Sequence, residues 1–237
     1  MIFLKNYDEW IAEIDNELKP DKSFDIIKRP LKIGGRRAVL YFIDGFIKDE
    51  VYEKILEFLY KQTPEEIAGI DDMSCFAENK LPYVETDAAY TACEVVTAVL
   101  SGPSVLIIEG IRGALLVDTR TYPMRGVEEP QKDRSLRGPR DGFVETLVMN
   151  TAMLRRRIRD SRLRMEYMQI GRETKLDISI AYIDGKADKR VLEILRQRLT
   201  EIRAGGISMT QEALAESLQK NAFFNPFPKF KFTERPD

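Results

Sequence analysis

IGGRRAVLYFIDGFIKDEVYEKIL, residues 33–56, and IGRETKLDISIAYIDGKADKRVLEIL, residues 170–195, carry one pattern twice. Each opens on a glycine-marked turn and continues as an apolar strand. Each then closes on aromatic-Ile-Asp-Gly (Phe42–Gly45 and Tyr182–Gly185) and enters a charged helix start. Val51 aligns with Val191 and Glu53 with Glu193 at one constant offset. Asp-Gly punctuates many strand-to-helix turns, so common turn chemistry accounts for the echo as readily as an internal repeat does. Either origin gives β-strand, sharp turn, α-helix in both places. A third strand, SVLIIEG (Ser104–Gly110), ends the same way without a helix behind it. The pattern predicts an α/β fold of two small α/β lobes, each a mixed β-sheet flanked by helices. The expected division is residues 1–123 for the N-terminal lobe, 124–158 for a connecting loop and helix, and 159–237 for the C-terminal lobe with an extended tail.

Around these two anchors the remaining elements fall into place. Asp8–Leu18 reads as a short amphipathic helix. Phe24–Ile33 and Ala38–Asp44 read as strands joined at Gly34-Gly35, the second a continuous apolar run of the buried kind. Asp49–Tyr60 is predicted to bury Val51, Ile55, Leu56 and Leu59 along one helical face. Thr63-Pro64-Glu65-Glu66 is a helix start with a capping box. A helix is expected over Asp87–Leu100, stopping at Ser101-Gly102-Pro103, followed by a hairpin of Val105–Glu109 and Ala114–Asp118. Asp141 is placed to cap a helix whose apolar face is Val144, Leu147/Val148, Thr151, Leu154 and Ile158. Strands Leu163–Ile170 and Leu176–Ile183 follow. The helix over Asp188–Ile202 is expected to bury Val191, Ile194, Leu195, Leu199 and Ile202, with Gly205-Gly206 ending it. Thr210 caps a last helix to Lys220, and the proline-interrupted NPFPKFKFTERPD cannot continue as helix.

Composition narrows the chemistry. The 237 residues carry 43% apolar and 32% charged side chains with a net charge of −2, and no apolar run reaches the ~18–20 residues that cross a bilayer. The start, MIFLKNYDEW, lacks the apolar core and cleavage site of a secretory signal. There is no histidine, which removes Ser-His-Asp and Cys-His catalysis and His-ligated zinc. The two cysteines, Cys75 and Cys93, support neither a disulfide framework nor a four-thiolate site. The expectation is a non-enzymatic chain with no cofactor and no metal, its thiols free in a reducing setting.

Charge gathers at one junction, MRGVEEPQKDRSLRGPRDGFVETLVMNTAMLRRRI (residues 124–158). From Arg125 to Arg164 there are eleven Lys/Arg against six Asp/Glu, or +5, leaving about −7 for the rest of the chain. Successive helical residues lie about 100° apart, so Arg155, Arg156 and Arg157 fan over roughly 200° and cannot converge on one ligand. At a helix C-terminus they complement the macrodipole and pair with nearby carboxylates. The net negative charge and the lack of interleaved aromatics argue against nucleic acid. Before the helix, Glu128-Glu129-Pro130 and Arg137-Gly138-Pro139-Arg140-Asp141 set opposite charges on stiff backbone. Two roles stay open for that loop: locking the lobes together, or holding an anion or partner, with Arg140 the best anion contact because helix-start N–H groups face outward there. Asp44 and Asp184 end their strands, where α/β proteins place ligands, yet Asp before Gly is also a routine turn former.

The same residues carry a family resemblance. GVEEPQKDRSLRGPRDGFVETLVMNTAMLRRRIRD resembles the signature of the A-subunit family of bacterial spore germinant receptors, the GerA type. That pattern is close to VEEP, six residues, RGPR-D/E-GF-x-E, then N-T-x-x-x-RRRI. Glu128, Glu129, Pro130, Arg137–Phe143, Glu145, Asn150 and Arg155–Arg157 match it without a gap. VLSGPSVLIIEG, YIDGKAD and NPFPKFKFTERPD extend the likeness through most of the chain, with residues 1–22 the least diagnostic. Within the family, Arg159–Asp184 and the early KIGGRRAVLYFIDGFIKDE look more like the stage V sporulation protein AF subfamily. The resemblance implies the N-terminal region of a longer membrane protein, with a polytopic segment following a position like Asp237. It implies a place in a nutrient-responsive, ion-releasing complex of the spore inner membrane, facing the cytoplasm or spore core. A regulatory and assembly domain that contacts other subunits, with self-association open, is the expected function. The alternative is a small-molecule module holding a nutrient or anion between the lobes near Arg137, Arg140 or Asp184.

Overall fold

The structure, a computed structural model, describes residues 6–47, 49–81, 85–120, 142–171, 175–202, 214 and 231–236. In chain order the elements are α1 (Tyr7–Leu18), β1 (Ile26–Ile33), β2 (Arg36–Ile43), α2 (Asp49–Tyr60), α3 (Pro64–Ala68), α4 (Met73–Lys80), β3 (Thr86–Ala89), α5 (Ala92–Ser101), β4 (Ser104–Ile108), β5 (Ala114–Val117), α6 (Leu147–Arg157), β6 (Leu163–Ile170), β7 (Leu176–Ile183) and α7 (Lys189–Glu201).

β1 and β2 form a hairpin across Gly34-Gly35, both at positive φ (50° and 75°), as a two-residue reversal between twisted strands demands. The larger sheet runs β1-β2-β4-β5-β3, and β6-β7 form a second one. The α/β class stands, but among the described residues every strand pair is antiparallel where mixed sheets were expected. Tight reversals at Gly34-Gly35 and between β4 and β5 turn the chain back beside itself. A parallel neighbour needs a crossover that returns it to the same end.

Helices cover both faces of the five-stranded sheet. Ile14 and Leu18 of α1 and Val95 and Val99 of α5 pack on Val39, Tyr41, Val105 and Ile107. On the opposite face, Tyr52, Ile55, Leu59, Ile67, Met73 and Phe76 of α2–α4 pack on Ala38, Leu40, Leu106 and Ile108. Each fully buried aliphatic side chain contributes about 1.5–3 kcal/mol relative to exposure. Double coverage explains why β2 and β4 are apolar at successive positions although antiparallel sheets usually alternate.

The echo between residues 33–56 and 170–195 is a geometric one. β6-β7-α7 repeats β1-β2-α2: two eight-residue strands, an Asp-Gly turn and a helix. The Asp44 amide donates to the Asp25 carbonyl at 2.8 Å, and the Asp184 amide donates to the Arg162 carbonyl at 2.8 Å. Gly45 and Gly185 share φ values of 82° and 83°. In the second unit Ile170, Ile180, Leu199 and Ile202 form the core, with Met168, Ile178, Leu192 and Leu195 against them.

Four expectations are corrected. Thr86–Ala89 is a strand rather than the first turn of a helix, because the Thr91/Glu94 capping box starts α5 at Ala92. α4 was not anticipated; its apolar signal is carried by Met73 and Phe76 alone. α6 starts at Leu147, not beside Asp141, and Ile158 is exposed rather than part of its apolar face. In α7 Val191 and Ile194 are 61% and 50% exposed, because the face formed by Leu192, Leu195 and Leu199 meets the hairpin. The Gly205-Gly206 stop and the caps at Asp141 and Thr210 lie outside the described residues.

Candidate functional site

Arg155 is, with Arg164, among the largest fully buried side chains of the described residues, and both it and its partner Asp25 are 0% exposed. It occupies the core-facing stripe of α6, one turn beyond Thr151 and Ala152, both buried. Gly45 makes that approach feasible: a Cβ there would sit 3.0 Å from Val148 Cγ1 and 3.1 Å from Ala152 Cβ. The Asp-Gly turn between β2 and α2 is thus the seat on which α6 rests.

From this seat the guanidinium reaches into the joint between the two strand-strand-helix units. Nε donates to Asp25 Oδ2 at 2.7 Å and Nη2 to Asp25 Oδ1 at 3.2 Å. Nη2 also donates to Ser23 Oγ (3.2 Å) and the Leu163 carbonyl (3.1 Å), and Nη1 to the Asp160 carbonyl (3.3 Å). Ser23 Oγ donates to Asp25 Oδ1 at 2.7 Å and accepts from the Met165 amide at 3.0 Å. The Phe24 amide donates to the Met165 carbonyl at 3.0 Å. One cation therefore gathers the entry to β1, the start of β6 and the end of α6. A buried charge pair persists when its remaining donors and acceptors are satisfied, as they are here.

Arg164, 2% exposed, lies alongside. Its Nη1 donates to the carbonyls of Ser161 (2.6 Å) and Leu18 (3.3 Å), tying α1 into the same joint. Its Nε lies 3.9 Å from Asp184 Oδ2, and Lys19 Nζ lies 3.7 Å from the same oxygen. Both are ion-pair contacts too long for a hydrogen bond. Asp160 joins through its side chain to Arg162, whose guanidinium holds the Asp160 carboxyl down to about 2. Asp44 moves the other way, raised chiefly by burial with Asp25 and Asp49 adding repulsion.

The other end of α6 is also tied. Asn150 Nδ2 donates to the Val144 carbonyl at 2.6 Å, and the Val144 amide donates to Asn150 Oδ1 at 2.7 Å. This two-bond clamp holds Val144 outside the helix and accords with its late start. The Phe143 amide then donates to the Glu234 carbonyl at 2.6 Å, and Pro236 is buried.

Of the residues singled out in the sequence, Arg155 and Asp184 come to the joint. Arg156 is exposed, Arg157 half-buried, and both make contacts of their own. Glu128, Glu129, Arg137, Arg140 and Asp141 lie outside the described residues. Ser23, Asp25 and Arg164 were missed, and Asn150 was noted only as part of the family pattern. A readable signal existed for one side of the pair: Arg155 falls on the Val148–Thr151/Ala152 stripe, where an arginine must find a buried anion. Nothing local marks Asp25 as that anion. A small apolar cleft lined by Leu40, Tyr52, Leu59 and Leu106 lies between α2 and the sheet, on the face opposite α6.

Residues 12–237 match the family described as Bacillus/Clostridium GerA spore germination protein. The chain belongs to the GerA family. It is 36% identical over 227 residues to stage V sporulation protein AF of Bacillus subtilis (strain 168), covering 94% of this chain and 45% of that protein. It is 31% identical over 231 residues to spore germination protein KA of the same organism, covering 96% and 41%. Among solved structures it resembles the N-terminal domain of the A subunit of the Bacillus megaterium spore germinant receptor GerK3. That likeness has a TM-score of 0.69 and 27% identity, and covers 98% of this chain and 84% of that one. The chain spans less than half the length of these curated GerA relatives. Among the described residues, no helix is long and apolar enough to cross a membrane.

Proposed function

We propose that this chain is a non-enzymatic regulatory and assembly domain of a spore germination protein whose remaining part is embedded in the spore inner membrane. In this reading it faces the cytoplasm or spore core and couples neighbouring subunits of a nutrient-responsive, ion-conducting complex. The observation that carries it is the joint at Arg155. A family signature centred on RGPR and RRRI is spent, at the fully buried Arg155, on fixing two structural units to each other. That use suits a domain that transmits position. Membership of the GerA family supplies the germination setting, and the share of its relatives that the chain spans leaves room for a membrane part.

The division at residues 124–158 follows the same logic: Arg137 and Arg140 present charge to a neighbouring subunit while α6 holds the joint. The test is Arg137→Glu in the full-length protein. The isolated domain keeps its thermal midpoint, whereas co-purification of the full-length complex from spores and ion release on nutrient addition both fall. Unchanged complexes would refute the assembly role, and an unfolded isolated domain would reassign Arg137 to the lock.

A further inference from the structure

We propose that α6 is a strut that ties the segment at residues 231–236 to the joint between the two strand-strand-helix units. Moving that segment then loosens or tightens the Arg155–Asp25 lock. The idea rests on the coupling role proposed above and names the path by which such coupling would run.

The path is continuous in hydrogen bonds and packing. The Glu234 carbonyl accepts from the Phe143 amide at 2.6 Å. Val144, the next residue, is clamped by both polar atoms of Asn150 at 2.6 and 2.7 Å. From Asn150 the helix carries the constraint about 1.4 turns, about 7.5 Å at 1.5 Å per residue, to Arg155. Arg155 grips Asp25, Ser23 and the Leu163 carbonyl. Asp25 in turn accepts the Asp44 amide through its own carbonyl, which closes the path onto the end of β2. Midway, Val148 and Ala152 rest on Gly45 so closely that a Cβ there would intrude. Close-packed contacts of this kind do not deform continuously, so α6 shifts as a unit or stays in place. A shift releases the guanidinium from its fork, because a bidentate Arg–carboxylate contact tolerates little displacement.

Hydrogen exchange on the 237-residue protein tests this. Three amides report on the joint: Phe24, Met165 and Asp44. Leu106, in the centre of the five-stranded sheet, reports on global stability. Two variants cut the path at different points, a chain ending at residue 230 and Asn150→Ala, and Arg155→Lys shows the signature of an opened joint. Both path variants are expected to speed exchange at the three joint amides by about fivefold or more, as in Arg155→Lys, and by a clearly larger factor than at Leu106. Acceleration confined to residues 143–150 would overturn the strut. So would equal acceleration at Leu106, which would make the segment a generic contributor to stability. Because the measurement needs no complex, a silent joint defeats the strut and leaves the assembly role standing. Lost assembly after Arg137→Glu with a responsive joint supports both.

Discussion

Replacing Arg155 by methionine keeps much of the side-chain volume and removes the charge, so the variant isolates what the buried pair contributes. Asp25 then remains 0% exposed with only Ser23 Oγ donating to its carboxylate. Breaking a buried pair from one side costs about 3–5 kcal/mol because the surviving charge is uncompensated. Domains are stable by only about 5–15 kcal/mol, so the loss is about a fifth of the total or more. With a urea slope of about 2–3 kcal/mol/M, the unfolding midpoint falls by about 1–2.5 M. Asp25→Asn should cost a comparable amount by stranding the guanidinium, whereas Arg155→Met with Asp25→Asn should cost less than the sum by about 2–3 kcal/mol. Arg156→Met, one residue along and exposed, should change stability by no more than about 0.5 kcal/mol. Urea unfolding followed by circular dichroism measures all four variants. A loss below about 1 kcal/mol for Arg155→Met, or a coupling near zero, would refute a buried charge lock.

Three further outcomes follow from the same geometry. Gly45→Ala should destabilise by about 2 kcal/mol or more, joining an unfavourable positive φ to the clash with Val148 and Ala152, while Gly185→Ala, with nothing within 4 Å, should cost only the backbone term of about 1–2 kcal/mol; equal losses in thermal melts would remove the seat under α6. Leu199→Ala should cost about 2–5 kcal/mol, whereas Val191→Ser and Ile194→Ser should each stay within about 0.5 kcal/mol, and a large loss at Val191 would restore the burial the sequence suggested. With no histidine in the chain, stability should be flat between about pH 5.5 and 8 and fall below it, since Glu109, Asp118, Asp160 and Glu166 all titrate below their ordinary values of 3.8 or 4.5. Their stabilisation is present above pH 4.5 and is lost as pH falls through the lowered values, reaching about 2 for Asp160, as these arginine-paired carboxylates are protonated. Asp44 has the opposite sign: its carboxyl favours the protonated form when folded, so Asp44→Asn should stabilise at pH 7 and gain nothing below pH 3.8. Urea midpoints taken across this pH range read both effects.

Most of the fold was legible because its signals are local. The Gly34-Gly35 pair, the Asp-Gly turns and the apolar runs of β2 and β4 fix strand and turn within a few residues, and the capping box at Thr63 marks α3. Strand direction was less legible, since a buried strand is apolar throughout in either pairing and periodicity cannot distinguish parallel from antiparallel. α7 failed for a related reason: its apolar arc is wide, and only the two-stranded width of β6-β7 decides which part is covered. The joint was half legible. Arg155 sits on a stripe otherwise made of Val148, Thr151 and Ala152, a position that demands a buried anion. Asp25 lies 130 positions away in the chain, and nothing in Ser23-Phe24-Asp25 distinguishes it from an ordinary turn before a strand.

The choice of arginine at the joint bears on what the domain does. An apolar plug of the same volume would serve stability as well, since buried ion pairs are often no better than hydrophobic replacements. It would also tolerate sliding, because apolar contacts have no preferred direction. The guanidinium is planar and its donors point along fixed lines. Here they meet Asp25, Ser23 and the carbonyls of Leu163 and Asp160 together, from the first unit and from the start of the second. A displacement of one unit against the other breaks most of these bonds at once instead of weakening each a little. The joint therefore favours one relative placement sharply over its neighbours. Lysine, keeping the charge but with a single ammonium at its tip, cannot bridge that set, so Arg155→Lys should retain the fold of each unit and lose the fixed angle between them. Small-angle scattering of the variant reads that directly: a profile identical to the parent's would show that the angle is set elsewhere.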